Sequence, residues 1–288
     1  SERQPAVLLC PTSWKGREIL RPLFKRRGWE VVEDTEVLEK DGQGVDLVWV
    51  SAKDVPWTRV LTGSLRANSY YLKTALNRKA DMHRTVTKYC SFDKESILNR
   101  AIPETHIIDM QELEEDGKSL QSCLDILRDN IVAQSDHSSP LNLWVLKASE
   151  SNKGQDVFPF RAEDIGSSDM MDVLQHSPHR TWLLQRAVSP PLLYRGRKFH
   201  LRVMVLAVGD LSVYVHRSVI VIPAHASYTP DPDGRMGRFS FLTNHCVQSS
   251  HADYEAGRFL LLRDFCRYLS TSGAAAAAAA GAAEEEER

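Results

Sequence analysis

The segment Tyr194 to Leu206 reads YRGRKFHLRVMVL, and its alternation decides how the chain is built. Five of its thirteen side chains are basic or can become so: Arg195, Arg197, Lys198, His200 and Arg202. Successive residues of a β-strand point to opposite faces. Lys198, His200 and Arg202 therefore share one face, and Phe199, Leu201, Val203 and Val205 share the other. The pattern predicts a core strand with a cationic face. Gly209-Asp210 reads as a two-residue, glycine-first hairpin turn. Pairing Val208 with Leu211 then sets Leu206 opposite Val213, Met204 opposite Val215 and Arg202 opposite Arg217. Facing like charges cost a few tenths to about 1 kcal/mol. Two compensations are open: nearby structural carboxylates, or an anionic ligand, phosphate or carboxylate, held by arginine forks.

Upstream, the first 60 residues read as a small α/β unit. AVLLC from Ala6, WEVVED (Trp29 to Asp34) and VDLVWV (Val45 to Val50) suit strands. Arg17 to Arg27 carries Ile19, Leu20, Leu23 and Phe24 at helical spacing and stops at Gly28. The Asp41–Gly44 segment reads as a turn, and a helical stretch is expected from about Leu65 to Tyr89. IPETHIID reads as extended. Leu120, Cys123, Leu124, Leu127 and Ile131 mark one face of an amphipathic helix. DHSSP (Asp136 to Pro140) reads as a linker before a β-rich region: LNLWVLK, TWLLQRAV, KFHLRVMVLAV and LSVYVHRSVIVI. A helix is expected from Asp253, with Phe259, Leu262, Phe265, Cys266 and Leu269 on one face. From Gly273 the chain is alanine- and glutamate-rich, a helix-prone composition with no packing face, and reads as a disordered tail. The organisation expected is 1–62, 63–137, 138–272 and the tail 273–288.

Lys+Arg 36 against Asp+Glu 38 leaves no general basic character, which argues against a nucleic-acid or membrane-surface binder. No apolar run reaches the roughly 18 residues of a membrane span, and no signal peptide is visible. Cys10, Cys90, Cys123, Cys246 and Cys266 are widely spaced without a CxxC pair, which reads as mostly buried thiols in a reducing, cytosolic compartment. His176 and His179 lack the further ligands a structural zinc needs. No metal site is assigned.

Two more segments carry chemistry. In LNLWVLKASESNKGQDV an apolar strand ends in Lys147, and a polar loop with Lys153-Gly154 follows. A strand, a lysine and such a loop can cradle phosphates through N–H groups and ammonium charge, and so can an ordinary turn with a surface lysine look like this. In TWLLQRAVSPPLL a buried-looking strand exits through Gln185-Arg186-Ala187-Val188 into a proline-stiffened segment that can offer backbone groups to a purine edge.

In this order, WVLK…SNKG, WLLQRAVSPPLL…GRKFHLRVMVL, VYVHR and FLTNHCVQ resemble the tubulin–tyrosine ligase family, from roughly Ala6 to Leu269; SYYLKTALNRKADM adds a lysine-bearing segment. The resemblance implies an α/β (α+β) ATP-grasp-type fold behind a small N-terminal α/β domain. It implies that Lys79 and Lys147 contact ATP phosphates, with Lys153 and Gly154 in the loop over them. Gln185, Arg186, Ala187 and Val188 would form the adenine hinge, and Lys198 and His200 would meet adenine and ribose. Thr243 and Asn244 would line the same cleft, and Arg202 and Arg217 would hold phosphate or substrate carboxylates. The activity implied is ATP-dependent, Mg²⁺-assisted addition of free tyrosine to the C-terminal glutamate of α-tubulin in the α/β-tubulin heterodimer, in the cytoplasm and on the cytoskeleton. Alternatives are a polyglutamylase-type ligase or an inactive nucleotide- or tubulin-binding homologue.

Three departures from the family's pattern stand out. The family tends to have aspartate where this chain has His200, and glycine where it has Ser151 and Asp156. An Asp156 beside phosphate would be unfavourable unless it points away. The strand-borne aspartate and Glu-x-Asn pair expected for Mg²⁺ do not precede the alanine tract, so part of the core is expected to be uncovered.

Overall fold

The computed structural model describes residues 4–9, 16–34, 36–40, 43–134, 142–230, 236–251 and 259–271. Cys10, the DHSSP segment, the start of the helix expected from Asp253 and the alanine- and glutamate-rich tail lie outside them. The chain divides into two compact units, one ending at Thr74 and one beginning at Ala75.

The first unit is a parallel sheet of β1 (Ala6–Leu9), β2 (Glu30–Val32), β3 (Leu47–Trp49) and β4 (Arg66–Ala67), in the order β2-β1-β3-β4. β1 is buried on both faces, as a central parallel strand should be, and reads as a continuous apolar run. A π-helical turn, Gly16–Leu20, leads into α1 (Arg21–Arg26). The helix ends where Gly28 takes φ +74°, a left-handed conformation that costs glycine little. The helix expected from Leu65 begins later. Leu65 is buried in this unit's core, and Arg66 and Asn68 donate backbone hydrogen bonds to Asp46 and Val48 as sheet partners. Tertiary pairing overrides local propensity there.

The second unit opens with a short helix, Thr74–Asn77 at the boundary, followed by α2 (Lys79–Phe92). Its main sheet is antiparallel and contains β5 (Thr105–Asp109), β6 (Leu143–Ala148), β7 (Val157–Arg161) and β8 (Thr181–Arg186), ordered β5-β8-β6-β7. α3 (Leu120–Ala133) and α4 (Ser168–His176) supply helical cover. The hydroxyls of Ser119 and Ser167 cap them by accepting from Ser122 and Met170 N–H. Period-two alternation sorts the sheet's side chains. Trp144, Leu146, Ala148, Trp182 and Leu184 join one core with Leu124, Ile131, Met170 and Leu174. Both tryptophans are essentially fully buried, each contributing about 4–6 kcal/mol of apolar burial as an upper figure. On the opposite face Leu143 and Val145 pack with Met236, Phe241, Leu242 and Val247. Lys147 follows them on that second face.

The decisive segment then runs as two strands. β9 (Phe199–Arg202) pairs with β12 (Ile220–Pro223), which pairs with β13 (Leu260–Leu261). β10 (Val205–Val208) pairs only with β11 (Ser212–Val215). The alternation in β9 holds: Phe199 packs its ring 4.6 Å from Phe265 of α5 (Leu262–Thr271), and Lys198, His200 and Arg202 fall on the other face.

The hairpin register differs from expectation. Val205 faces Val215, Leu206 faces Tyr214 and Val208 faces Ser212. The turn therefore has three residues, Gly209-Asp210-Leu211, with φ of +60° at Gly209 and +77° at Leu211. One extra turn residue shifts the pairing by one. Arg202 lies opposite Ile220, and Arg217 sits in the bend after β11, so the two arginines are not cross-strand neighbours. The expected like-charge cost does not arise. Nor is the hairpin a core element: Leu206, Val213 and Tyr214 are about 60% exposed, and residues of both faces are open. Of the described cysteines none is buried; Cys246 and Cys266 are exposed, against the expectation of buried thiols.

Candidate functional site

A cavity of about 540 Å³ opens on the second face of the main sheet. Lys79, Lys147, Lys153, Gly154, Gln185, Arg186, Ala187, Val188, Lys198, Thr243 and Asn244 all line it. His200, Arg202 and Arg217 do not.

The floor is a ladder of polar side chains across three strands. Lys147 Nζ donates to Gln185 Oε1 at 2.5 Å, and Gln185 Nε2 donates to Thr105 Oγ1 at 2.8 Å. Thr105 and Gln185 are direct cross-strand partners, whereas Lys147 reaches its glutamine diagonally. Beyond Gln185 the strand leaves the sheet. Arg186 N–H donates to Glu104 O and Ala187 N–H to Leu143 O, so these two donors of the hinge are already used by protein.

Lys79, at the start of α2, reaches across to the end of β6. Its Nζ donates to Ala148 O at 2.8 Å and Ser151 O at 2.7 Å. The helix is docked there by Lys79 N–H on Ser149 O and by Ala80 N–H on Ser149 Oγ. An ammonium has three protons, so one remains for a ligand. Lys198 closes the third side, with Nζ 3.7 Å from the centre of the Phe241 ring.

Burial depresses the charge of these ammonium groups. Burial, and secondarily Lys79, brings Lys147 down to about 8. Burial, and secondarily Lys147, brings Lys198 down to about 8. Burial lowers Lys79 as well, with Asp156 opposing. A cavity lined by four lysines, Lys79, Lys147, Lys153 and Lys198, without a carboxylate among its described lining residues is electrostatically incomplete, and an anion completes it.

The loop after β6 has the shape of an anion cradle. Gly154 takes φ +75°, and a Cβ there would lie 2.8 Å from Asn244 Oδ1. Only glycine lets this loop approach the Thr243–Asn244 wall so closely. Ser151 Oγ is buried at the cavity without a hydrogen-bond partner, a polar atom waiting for one. Asp156 turns away: its Oδ2 lies 3.2 Å from His179 Nε2 and it is not part of the lining. The donor set fits a nucleotide's phosphates. Among the described residues no group of three or more His, Cys, Asp or Glu side chains could hold a metal.

Several residues of the wall escaped sequence reasoning, Phe241, Leu242 and Val145 among them. Phe241 and Leu242 sit immediately before Thr243-Asn244 and supply the apolar lid. Val145 is visible only in retrospect, as the residue two before Lys147 on the same face of the strand.

A mixed α/β chain with an antiparallel sheet, a lysine ladder and a glycine loop over one cleft defines an ATP-grasp-type fold. A solved structure agrees: the C-terminal domain of Pby1 from K. lactis, described as an ATP-grasp enzyme interacting with the mRNA decapping enzyme Dcp2, matches with a TM-score of 0.54 at 24% identity, over 81% of this chain and 63% of that one. The tubulin-tyrosine ligase family model matches residues 78–263, well over half the chain, and the chain belongs to that family. Among curated relatives, a probable tubulin–tyrosine ligase of Schizosaccharomyces pombe is 27% identical over 247 residues, covering 75% of this chain and 59% of the relative. The probable tubulin–tyrosine ligase PBY1 of Saccharomyces cerevisiae is 27% identical over 66% of this chain and 29% of its own length. A human tubulin monoglutamylase is 28% identical over 47% of this chain and 11% of its own. The chain thus spans little more than half of the longest-matched relative. No helix among the described residues is long and apolar enough to cross a membrane.

Proposed function

We propose that this chain forms the nucleotide-binding part of an ATP-dependent ligase that extends the C-terminal glutamate of α-tubulin with tyrosine. The observation that carries the reading is the convergence of Lys79, Lys147 and Lys198 on one cavity beside the Gly154 loop. In the reaction, a carboxylate oxygen of the terminal glutamate attacks the γ-phosphorus and ADP leaves. The amine of tyrosine then attacks the acyl carbon, releases inorganic phosphate and loses a proton. The lysines would neutralise the transferring phosphoryl group, and Arg202 and Arg217 would bind the carboxylates from outside the cavity. The Gln185–Val188 hinge would receive the base. Since the N–H groups of Arg186 and Ala187 are engaged, it would do so through the remaining backbone groups.

A second reading, which the resemblance also leaves open, is a nucleotide- or tubulin-binding protein without ligase turnover. Incubating the purified chain with detyrosinated tubulin, Mg-ATP and labelled tyrosine decides between them. Incorporation supports the ligase. ATP or tubulin binding without incorporation supports the second reading, absence of ATP binding sinks the ligase, and absence of both kinds of binding sinks both.

A further inference from the structure

His200 stands behind the cavity wall rather than in it. It does not line the cavity, yet its Nδ1 lies 2.7 Å from Thr243 Oγ1, and Thr243 does line it. The ring is half-buried, in register with Ile222 of β12, with Lys198 and Arg202 two residues away on the same strand face. Burial, and secondarily Arg202, lowers its basicity, so the ring is held neutral, with one nitrogen able to accept.

The Leu242–Asn244 segment is gripped from two sides. On one, the buried Gln248 donates to Phe239 O and Leu242 O and accepts from His225 N–H. On the other stands His200. What the grip fixes is the approach of Asn244 to Gly154, where even one added carbon would come within 2.8 Å of Asn244 Oδ1. Thr243 is the chain neighbour of Asn244, whose side chain stands beside the loop over the lysines.

We infer that His200 is a positioning residue, which holds Thr243 and with it the Asn244–Gly154 wall in the nucleotide-ready place. The inference rests on the nucleotide reading of the cavity. It accounts for a histidine at this position without a ring–ligand contact.

The test is a double-mutant cycle read in ATP affinity by calorimetry. His200→Phe keeps the ring and removes the nitrogen; Thr243→Val removes the hydroxyl. Each is expected to weaken ATP about fivefold, the scale of one neutral hydrogen bond, and the double variant no more than either single one. His200→Asn, which restores a polar group near Nδ1, should return affinity to within about twofold of the unaltered chain. Additive losses, or a loss with His200→Phe but none with Thr243→Val, overturn the inference and make His200 a direct ligand contact. Should a variant lose its fold, ¹⁵N resonances of His200 in the unaltered chain decide. Saturating ATP must leave the Nδ1 shift in place, and a large change there refutes the positioning role. Failure of the unaltered chain to bind ATP would instead overturn the nucleotide reading, and this inference with it.

Discussion

The ammonium of Lys198 rests 3.7 Å from the centre of the Phe241 ring, and that ring is itself buried. The aromatic face offers a partial counter-charge where no carboxylate is at hand, and it holds the lysine over the cavity rather than in solvent. Phe241→Leu preserves most of the packing but removes the ring. We expect a loss of about 0.5–2 kcal/mol in nucleotide affinity, with thermal unfolding shifted by only a few degrees. Fluorescent-nucleotide titration checks it; an unchanged affinity would show that Lys198 is placed by β9 alone.

The depressed lysines give binding and stability opposite pH dependences. Lys147 and Lys198 titrate at about 8 against an ordinary 10.5. A bound polyanion favours their charged forms, so ATP binding near pH 8 takes up protons and weakens as pH rises further. Calorimetry in two buffers of different ionisation heat measures the uptake. For folding the sign reverses. The unfolded chain binds more protons between about 8 and 10.5, so stability from these two groups rises with pH across that window. Below about 8 the full cost of burying both charges is present. Urea midpoints at pH 7, 9 and 10 should show this contribution.

Glycines at two positions separate backbone strain from contact. Gly154→Ala combines a left-handed φ with a clash against Asn244, whereas Gly209→Ala has a left-handed φ and nothing within 4 Å. Strain alone costs about 1 kcal/mol. Gly154→Ala should therefore lower stability more than Gly209→Ala and should also weaken ATP, which Gly209→Ala should leave alone. Equal effects on ATP would remove the loop from the nucleotide site.

Arg202 and Arg217 are placed by different elements and do not face each other. If both bind the glutamate-ended tail, Arg202→Ala and Arg217→Ala should each weaken it. Binding of a tail peptide by anisotropy measures this. Unchanged affinity in both variants would end the role given to these arginines.

The β10–β11 hairpin shows apolar side chains on both faces, a feature that invites association. Leu206→Lys should shift stability by less than about 0.5 kcal/mol, as for other exposed positions, and reduce light scattering at high protein concentration. A large loss of stability would show that the side chain is covered in solution.

Local patterns were legible in the chain because they rest on nearest-neighbour geometry. LNLWVLK read as an apolar strand ending in Lys147, and alternation in KFHLR separated Phe199 from Lys198 and His200. The family's motifs, with that sorting, brought eleven of the twelve expected nucleotide residues to a single cavity. Where the chain's own alternation met long-range competition, the reading failed. Leu65 to Lys73 looked helical but belongs in part to a parallel sheet whose partners Asp46 and Val48 lie some twenty residues earlier.

By itself, then, the sequence determined which faces of its strands are charged and which are apolar, since that follows from period two and residue type. Tertiary structure decided who stands opposite whom. The three-residue Gly209–Leu211 turn and the separate β9–β12 register set Arg202 opposite Ile220 rather than Arg217, and His200 Nδ1 lies against Thr243 Oγ1. Register and side-chain partnership are set by turn geometry and by residues more than forty positions away, and neither is written in the local pattern.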